Sequence, residues 1–241
     1  MKTMTKLFLS LFIAVVFSSS MLAQLTSIET TGSFSTAGSL KYAVTKANGF
    51  GGGVKINFKT FDNFYISISA GYQSFSIDQD SALTQWKWYF WDNRYYGSIR
   101  ADLTDTAKYQ LTITPNQGIN SIPVSILVGY ETKLGDLKIK PYAGAGIFFF
   151  SRWFYVVEDW TKKLTKLNST FNYNYRNFAP SKQGNPIMLH GGISLEYPLF
   201  DFVNLAGEFN YTHFLETDGM GYSELPFGNK LNFKLGLSFS Y

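Results

Sequence analysis

His190 and His213 are the only imidazoles in the chain, and there is no cysteine. A disulfide framework and a thiolate metal site are excluded at once, and two separated histidines without clustered carboxylates do not make a zinc centre. Serine-based catalysis would want a His-x-Ser pair backed by a carboxylate. Here His190 precedes Gly191-Gly192 and His213 precedes Phe214-Leu215, so no catalytic residue, metal ligand or cofactor is assigned. The charged candidates are Lys55, Glu131, Lys140, Glu196, Glu208 and Lys234. They could form a proton relay or a selectivity ring, or simply pair with one another. A third group is aromatic. Trp86, Trp88 and Trp91 share the stretch WKWYFWDNRYY, and Trp160 lies in EDWTKKLTKL, which reads as a short amphipathic helix. Exposed, these rings would offer a contact surface of high area at low entropy cost; packed, they would join loop to loop or complete an interfacial girdle.

The elements that carry these residues alternate with period two. From Leu231 onward Leu231, Phe233, Leu235, Leu237, Phe239 and Tyr241 are apolar, while Lys230, Asn232, Lys234, Gly236, Ser238 and Ser240 are small, polar or charged. Side chains of a strand point alternately to opposite faces, so this is one apolar and one polar face. The same pattern runs through residues 203–212, 187–197, 137–149, 122–131, 64–73 and 54–59, and more weakly through a first strand at 34–44, where Leu40, Tyr42 and Val44 oppose Ser39, Lys41 and Ala43. Eight strands result.

Connection lengths alternate as well. Short turns fall near 61–63, at Gly135-Asp136 and at 198–201, whereas longer loops span about 78–120, 153–185 and 216–229, with a short first loop near 47–49. Short turns on one side and long loops on the other characterise outer-membrane barrels. A two-residue turn at Gly135-Asp136 pairs Leu134 with Leu137 and so sets Glu131 opposite Lys140, both on the polar face.

Alternation leaves open which face is outside, and a lipocalin-like soluble binder would turn its apolar residues inward. Nine charges on the polar face are too many for a dry cavity, aromatic residues gather at strand ends, and sheet edges cannot remain open in lipid. These features favour an all-β, closed, antiparallel up-and-down transmembrane β-barrel of about eight strands. Eight strands leave an interior that side chains fill, which favours mutual pairing of the lumen charges over a conducting ring. Aromatic residues make up 18% of the chain, without any later apolar run of helical spanning length.

Ahead of the barrel, Lys2 and Lys6 followed by an eleven-residue apolar run at 7–17 and small residues up to Ala23 read as a signal peptide, 1–23, preceding a barrel domain at 24–241. The run is too short to span a bilayer. Without Lys2 and Lys6 the 21 basic residues fall to 19, against 17 acidic ones, and no clustered basic face suggests nucleic acid.

Taken with Phe50-Gly-Gly-Gly before 54–58, Ser69-Ala-Gly-Tyr72, Ile122-Pro-Val124, Pro141-Tyr-Ala-Gly-Ala-Gly146 and the terminal Leu-Ser-Phe-Ser-Tyr241, the sequence resembles the small outer-membrane β-barrel family of OmpA- and OmpX-like proteins, in the versions found in Bacteroidetes-type porin-family proteins. That resemblance implies residence in the outer membrane among its lipid and lipopolysaccharide. It also implies delivery by the barrel-assembly machinery, with Phe233, Leu235, Leu237, Phe239 and Tyr241 as the assembly signal. The function expected is non-enzymatic: a membrane anchor whose elaborated outer loops serve surface interaction, with an unspecified extracellular ligand, or envelope integrity. The rivals are a barrel enzyme acting on lipid or peptide and the soluble binder.

Overall fold

The computed structural model describes residues 24–60 and 63–241. The signal peptide expected at 1–23 lies outside them, as does most of the turn expected near 61–63. Eleven strands form one antiparallel sheet: β1 (Gln24–Leu40), β2 (Val44–Lys59), β3 (Phe64–Gln79), β4 (Tyr109–Tyr130), β5 (Thr132–Leu134), β6 (Leu137–Leu164), β7 (Ser169–Phe178), β8 (Lys182–Gly184), β9 (Ile187–Phe200), β10 (Val203–Phe214) and β11 (Phe227–Ser240). Eight of them close a ring in the order β1-β2-β3-β4-β6-β9-β10-β11, with β11 pairing back onto β1 and β4 pairing across to β6. Closure leaves no open edge within the ring, as a bilayer demands.

The barrel is inverted relative to a soluble protein. Phe50, Val54, Tyr72, Ile122, Val128, Leu195, Phe209, Phe233 and Leu235 face outward and are exposed, whereas Glu29, Lys55, Lys140, Glu196, Glu208 and Asn232 are buried inside. Leu235, 65% exposed, sits near the middle of its spanning stretch. Leu235→Lys is therefore expected to destabilise the barrel in lipid by roughly 2–4 kcal/mol. The same substitution at Phe227, which faces the interior at the outer end, should not depend on bilayer thickness. Urea titration in vesicles of two thicknesses checks both; indifference of Leu235→Lys to lipid would contradict the outward placement.

Register at the Gly135-Asp136 turn is as the alternation requires. Leu134 lies opposite Leu137, and β4–β6 pairing places Gly129 opposite Tyr142, so Glu131 meets Lys140, their charged atoms 3.6 Å apart. Two cross-strand pairs show why glycines recur. Tyr65 lies opposite Gly129 and Phe75 opposite Gly49, and a Cβ at either glycine would fall within 2.3 Å and 2.8 Å of the facing ring. Large rings enter the narrow lumen by lying over a neighbour that has no side chain.

Three expectations need correction. The first strand occupies Gln24–Leu40, not 34–44, and Val44 begins β2. The outer connection is accordingly at 41–43 and not at 47–49. Its tight reversal uses positive φ at Ser39, Tyr42 and Ala43, and the last two are residue types that carry no turn signature. The outward face of β1 bears Thr30, Gly32 and Thr36, so its alternation is muted. Second, the two largest loops are largely ordered: 153–185 is mainly strand and 78–120 combines helical turns with the start of β4 at Tyr109, while β6 runs for 28 residues to Leu164, far beyond the 9–11 that a tilted strand needs to cross a bilayer. Third, Trp160 belongs to β6 and not to an amphipathic helix; only Thr165–Leu167 is helical there, as one 3₁₀ turn.

Candidate functional site

Two regions carry the polar and aromatic chemistry: the lumen, and a unit that stands above the barrel where β4 and β6 continue past it.

Within the lumen Glu208 is a hub. Lys55 and Lys234 approach its carboxylate at 2.8 Å and 2.6 Å, Tyr142 donates its hydroxyl at 2.6 Å and Asn210 its amide at 2.8 Å. Lys234 lies directly opposite Glu208 across the β10–β11 pair. Lys55 also reaches Glu29 at 2.7 Å, and Asn57 donates to Glu29 at 2.5 Å. Lower down, Lys140 pairs with Glu196 at 2.5 Å and with Glu131. The structure thus divides the six charged candidates into two groups: Lys55, Glu208 and Lys234 around one centre, and Lys140, Glu196 and Glu131 around another. The second group is nearer the short turns, with Glu131 at the rim. Charges so deep, with hydrocarbon beyond a one-residue wall, are tolerable only when paired and hydrogen-bonded.

Above this network the lumen turns apolar. Phe75, Ile119, Phe148, Phe214, Leu225 and Phe227 form a buried cluster across the outer end, with Phe148 and Phe214 rings 4.9 Å apart. A small cavity separates the two layers. Paired charges fill the lumen below this cavity and packed rings fill it above.

The outer unit has its own core. Helical turns across Ala82–Gln85 and from Tyr89 to Asp102 lie against one face of the β4–β6–β7 sheet. Trp86 stacks on Phe154 at 4.9 Å, and Trp160 stacks on Tyr173 at 6.2 Å. Trp86, Trp88, Trp91 and Trp160 are all buried, between 3% and 7% exposed. They are therefore not the open contact surface that exposed rings would have provided; they pack loop against sheet. The outward-facing aromatics of this unit are instead Tyr89, Phe90 and Tyr96 on the helical turns and Phe171, Tyr175 and Phe178 on β7.

One carboxylate ties the unit together. Glu158, fully buried on β6, accepts two bonds from Arg94, at 2.9 Å and 3.0 Å, one from Trp160 at 2.8 Å and one from Asn177 at 2.5 Å. Burial alone would raise its pKa, but the bonds and the charge of Arg94 outweigh this and hold it below the ordinary carboxylate value, while the Arg94 pKa is raised. A depressed carboxylate stabilises the folded form above the unfolded value, about 4.3, and that contribution fades as pH falls through the folded one. Acidification below about pH 4 should therefore loosen the outer unit before the barrel. Loss of near-ultraviolet tryptophan ellipticity with an unchanged strand signal would record it, and Glu158→Gln should remove the pH dependence.

Sequence reading missed Glu29, Lys230, Arg94 and Glu158 as partners. Glu29 precedes the first strand that the alternation marks, which starts ten residues late. Lys230 stands on the polar face of the last strand, but its spacing does not join it to the network. Glu158 follows Phe154 and Val156 in strict alternation, a strand signal inside a segment whose length reads as a loop. His190 lines the lumen cavity and His213 lies on the exterior. Among the described residues no three potential metal ligands converge.

No protein-family model and no curated protein sequence matches the chain. Among solved structures it is similar to Neisserial surface protein A, at 10% identity over 90% of this chain and 97% of that one, with a TM-score of 0.46. It is also similar to a major outer membrane protein from Thermus thermophilus, at 13% identity over 89% and 99%, with a TM-score of 0.46. A third likeness is to the outer membrane protein OprG from Pseudomonas aeruginosa, at 12% identity over 90% and 96%, with a TM-score of 0.43.

Proposed function

We propose that this protein is a non-enzymatic integral protein of the bacterial outer membrane, in which a sealed barrel anchors a rigid outer unit that makes contacts at the cell surface. The observation that carries the reading is the division of labour along β6. Its lower part belongs to a lumen closed by ion pairs and packed rings, and its upper part is the spine of a separately cored unit. A pore would need a continuous water path. A surface unit needs a pre-ordered scaffold, because every loop ordered on binding subtracts from affinity. The contact role falls to Tyr89, Phe90, Tyr96, Phe171 and Tyr175 in place of the four buried tryptophans. Lipid and lipopolysaccharide are the neighbours of the apolar belt, and the alternate residues from Phe233 to Tyr241 are what the assembly machinery reads.

Because the chain has no cysteine, single introduced ones report topology cleanly. Tyr96→Cys, at a position 66% exposed in the outer unit, should react with a membrane-impermeant maleimide on intact Gram-negative cells. Leu134→Cys, 71% exposed at the short-turn end, should react only after the outer membrane is permeabilised. The protein should fractionate with the outer membrane, migrate differently before and after heating, and give no conductance steps in a planar bilayer. Recovery in the soluble periplasmic fraction, or labelling of the two sites in the reverse order, would overturn the proposal.

A further inference from the structure

The cavity between the two lumen layers has a volume of about 50 Å³, room for a few water molecules at roughly 10–15 Å³ each. Its charged lining is Lys55, Lys230 and Lys234 against Glu29 and Glu208, with His190 the remaining titratable group. Both carboxylates are already occupied, Glu29 by Lys55 and Asn57 and Glu208 by Lys55, Lys234, Tyr142 and Asn210. Lys230 stands apart. It is 2% exposed, donates to the Gln73 side-chain oxygen, and otherwise meets the ring faces of Phe148 and Phe75 at 4.9 Å and 5.6 Å. Its cross-strand neighbours are Ala37 and Thr212, neither of which can carry a compensating charge. In the same lining the buried Nε2 of His190 has no hydrogen-bond partner among the described residues.

With His190 neutral and Lys230 protonated, the cavity wall would hold one more positive than negative charge, in surroundings where an uncompensated charge is costly. An ammonium has three protons to donate. Lys230 spends one on Gln73 and Lys234 one on Glu208, which leaves donors on both, joined by an unpartnered imidazole nitrogen.

We infer that this cavity is an internal binding site for one monovalent inorganic anion of the halide class, held by Lys230 and Lys234 and by an Nε2–H of His190. A monovalent ion brings the wall to neutrality, whereas sulfate or phosphate would overshoot it and needs more room. Packed rings lie above the site, and the ion pairs of Glu208 with Lys55 and Lys234 form part of its wall.

Bromide is the probe. Barrel folded from urea into detergent in sodium bromide, then crystallised, should show one anomalous bromide peak in the lumen beside Lys230 and His190. Barrel carrying Lys230→Met, folded identically, should show none. The wild-type urea midpoint should also be higher in sodium bromide or chloride than in sodium gluconate of equal ionic strength, and this difference should vanish in the variant. Should Lys230→Met fail to fold, Lys230→Gln supports the same comparison. An empty lumen in the wild type, a peak that survives removal of Lys230, or a wild-type midpoint indifferent to the anion would overturn the inference.

Discussion

Glu208→Ala is expected to cost the folded barrel about 3–5 kcal/mol, the range for breaking a buried ion pair from one side. Its carboxylate answers two lysines, a tyrosine hydroxyl and an amide, and alanine would leave Lys234 without a carboxylate while Lys55 kept Glu29. Lys234→Met alone should cost less, since its side chain is 23% exposed and Glu208 would retain Lys55. Combined, Glu208→Ala and Lys234→Met should destabilise by clearly less than the two single losses together, because the second change removes the charge that the first had stranded. Urea titrations in lipid vesicles, read from the fraction with folded mobility on unheated gels, complete the cycle. Strict additivity would mean that the two side chains do not act on each other.

Phe148→Ala should be of similar size, about 3–5 kcal/mol, for a different reason. The ring is fully buried at the centre of the outer-end cluster and lies against Phe150, Phe214 and Phe227. Truncation loses the transfer energy of the ring and leaves a void that a closed barrel wall cannot collapse to fill. It also removes one face over the Lys230 ammonium, a contribution of roughly 0.5–2 kcal/mol. Phe148→Leu should recover most of the loss, since volume is largely conserved. Were alanine tolerated as well as leucine, the cluster would not be the packed seal described above.

Strand number, antiparallel order, face assignment and the Gly135-Asp136 register were legible because hydrocarbon outside and polar side chains inside impose strict alternation. Where the outward face of a strand carries small or polar residues, the signal faded. Thr30, Gly32 and Thr36 on the outward face of β1 blurred its start, and the turn at residues 41–43 is built from residues that carry no turn preference. Above the membrane the rule changes sides: Phe154, Val156 and Trp160 turn inward onto the helical segment, so alternation persists with a different meaning. Trp86, Trp88 and Trp91 announced a special region, but whether such rings face water or one another depends on a partner surface supplied by β6 and β7, distant in sequence. The lumen charges were legible as a set, and the Glu131–Lys140 pair from the register of its turn; the contacts of Glu196 with Lys140 and of Lys55 with Glu208 were not, because they depend on how strands that are remote in sequence come together across the barrel.

The most direct test of the inverted barrel is a lipid-contact scan along β11. Single cysteines placed one at a time from 231 to 240, labelled with a small environment-sensitive fluorophore and folded into vesicles containing brominated acyl chains, report contact with hydrocarbon by quenching. Positions 233, 235 and 237 should be strongly quenched, and positions 232, 234, 236 and 238 protected, a period of two with the phase fixed by outward-facing Phe233, Leu235 and Leu237. Quenching at the even positions, or no alternation at all, would contradict the account.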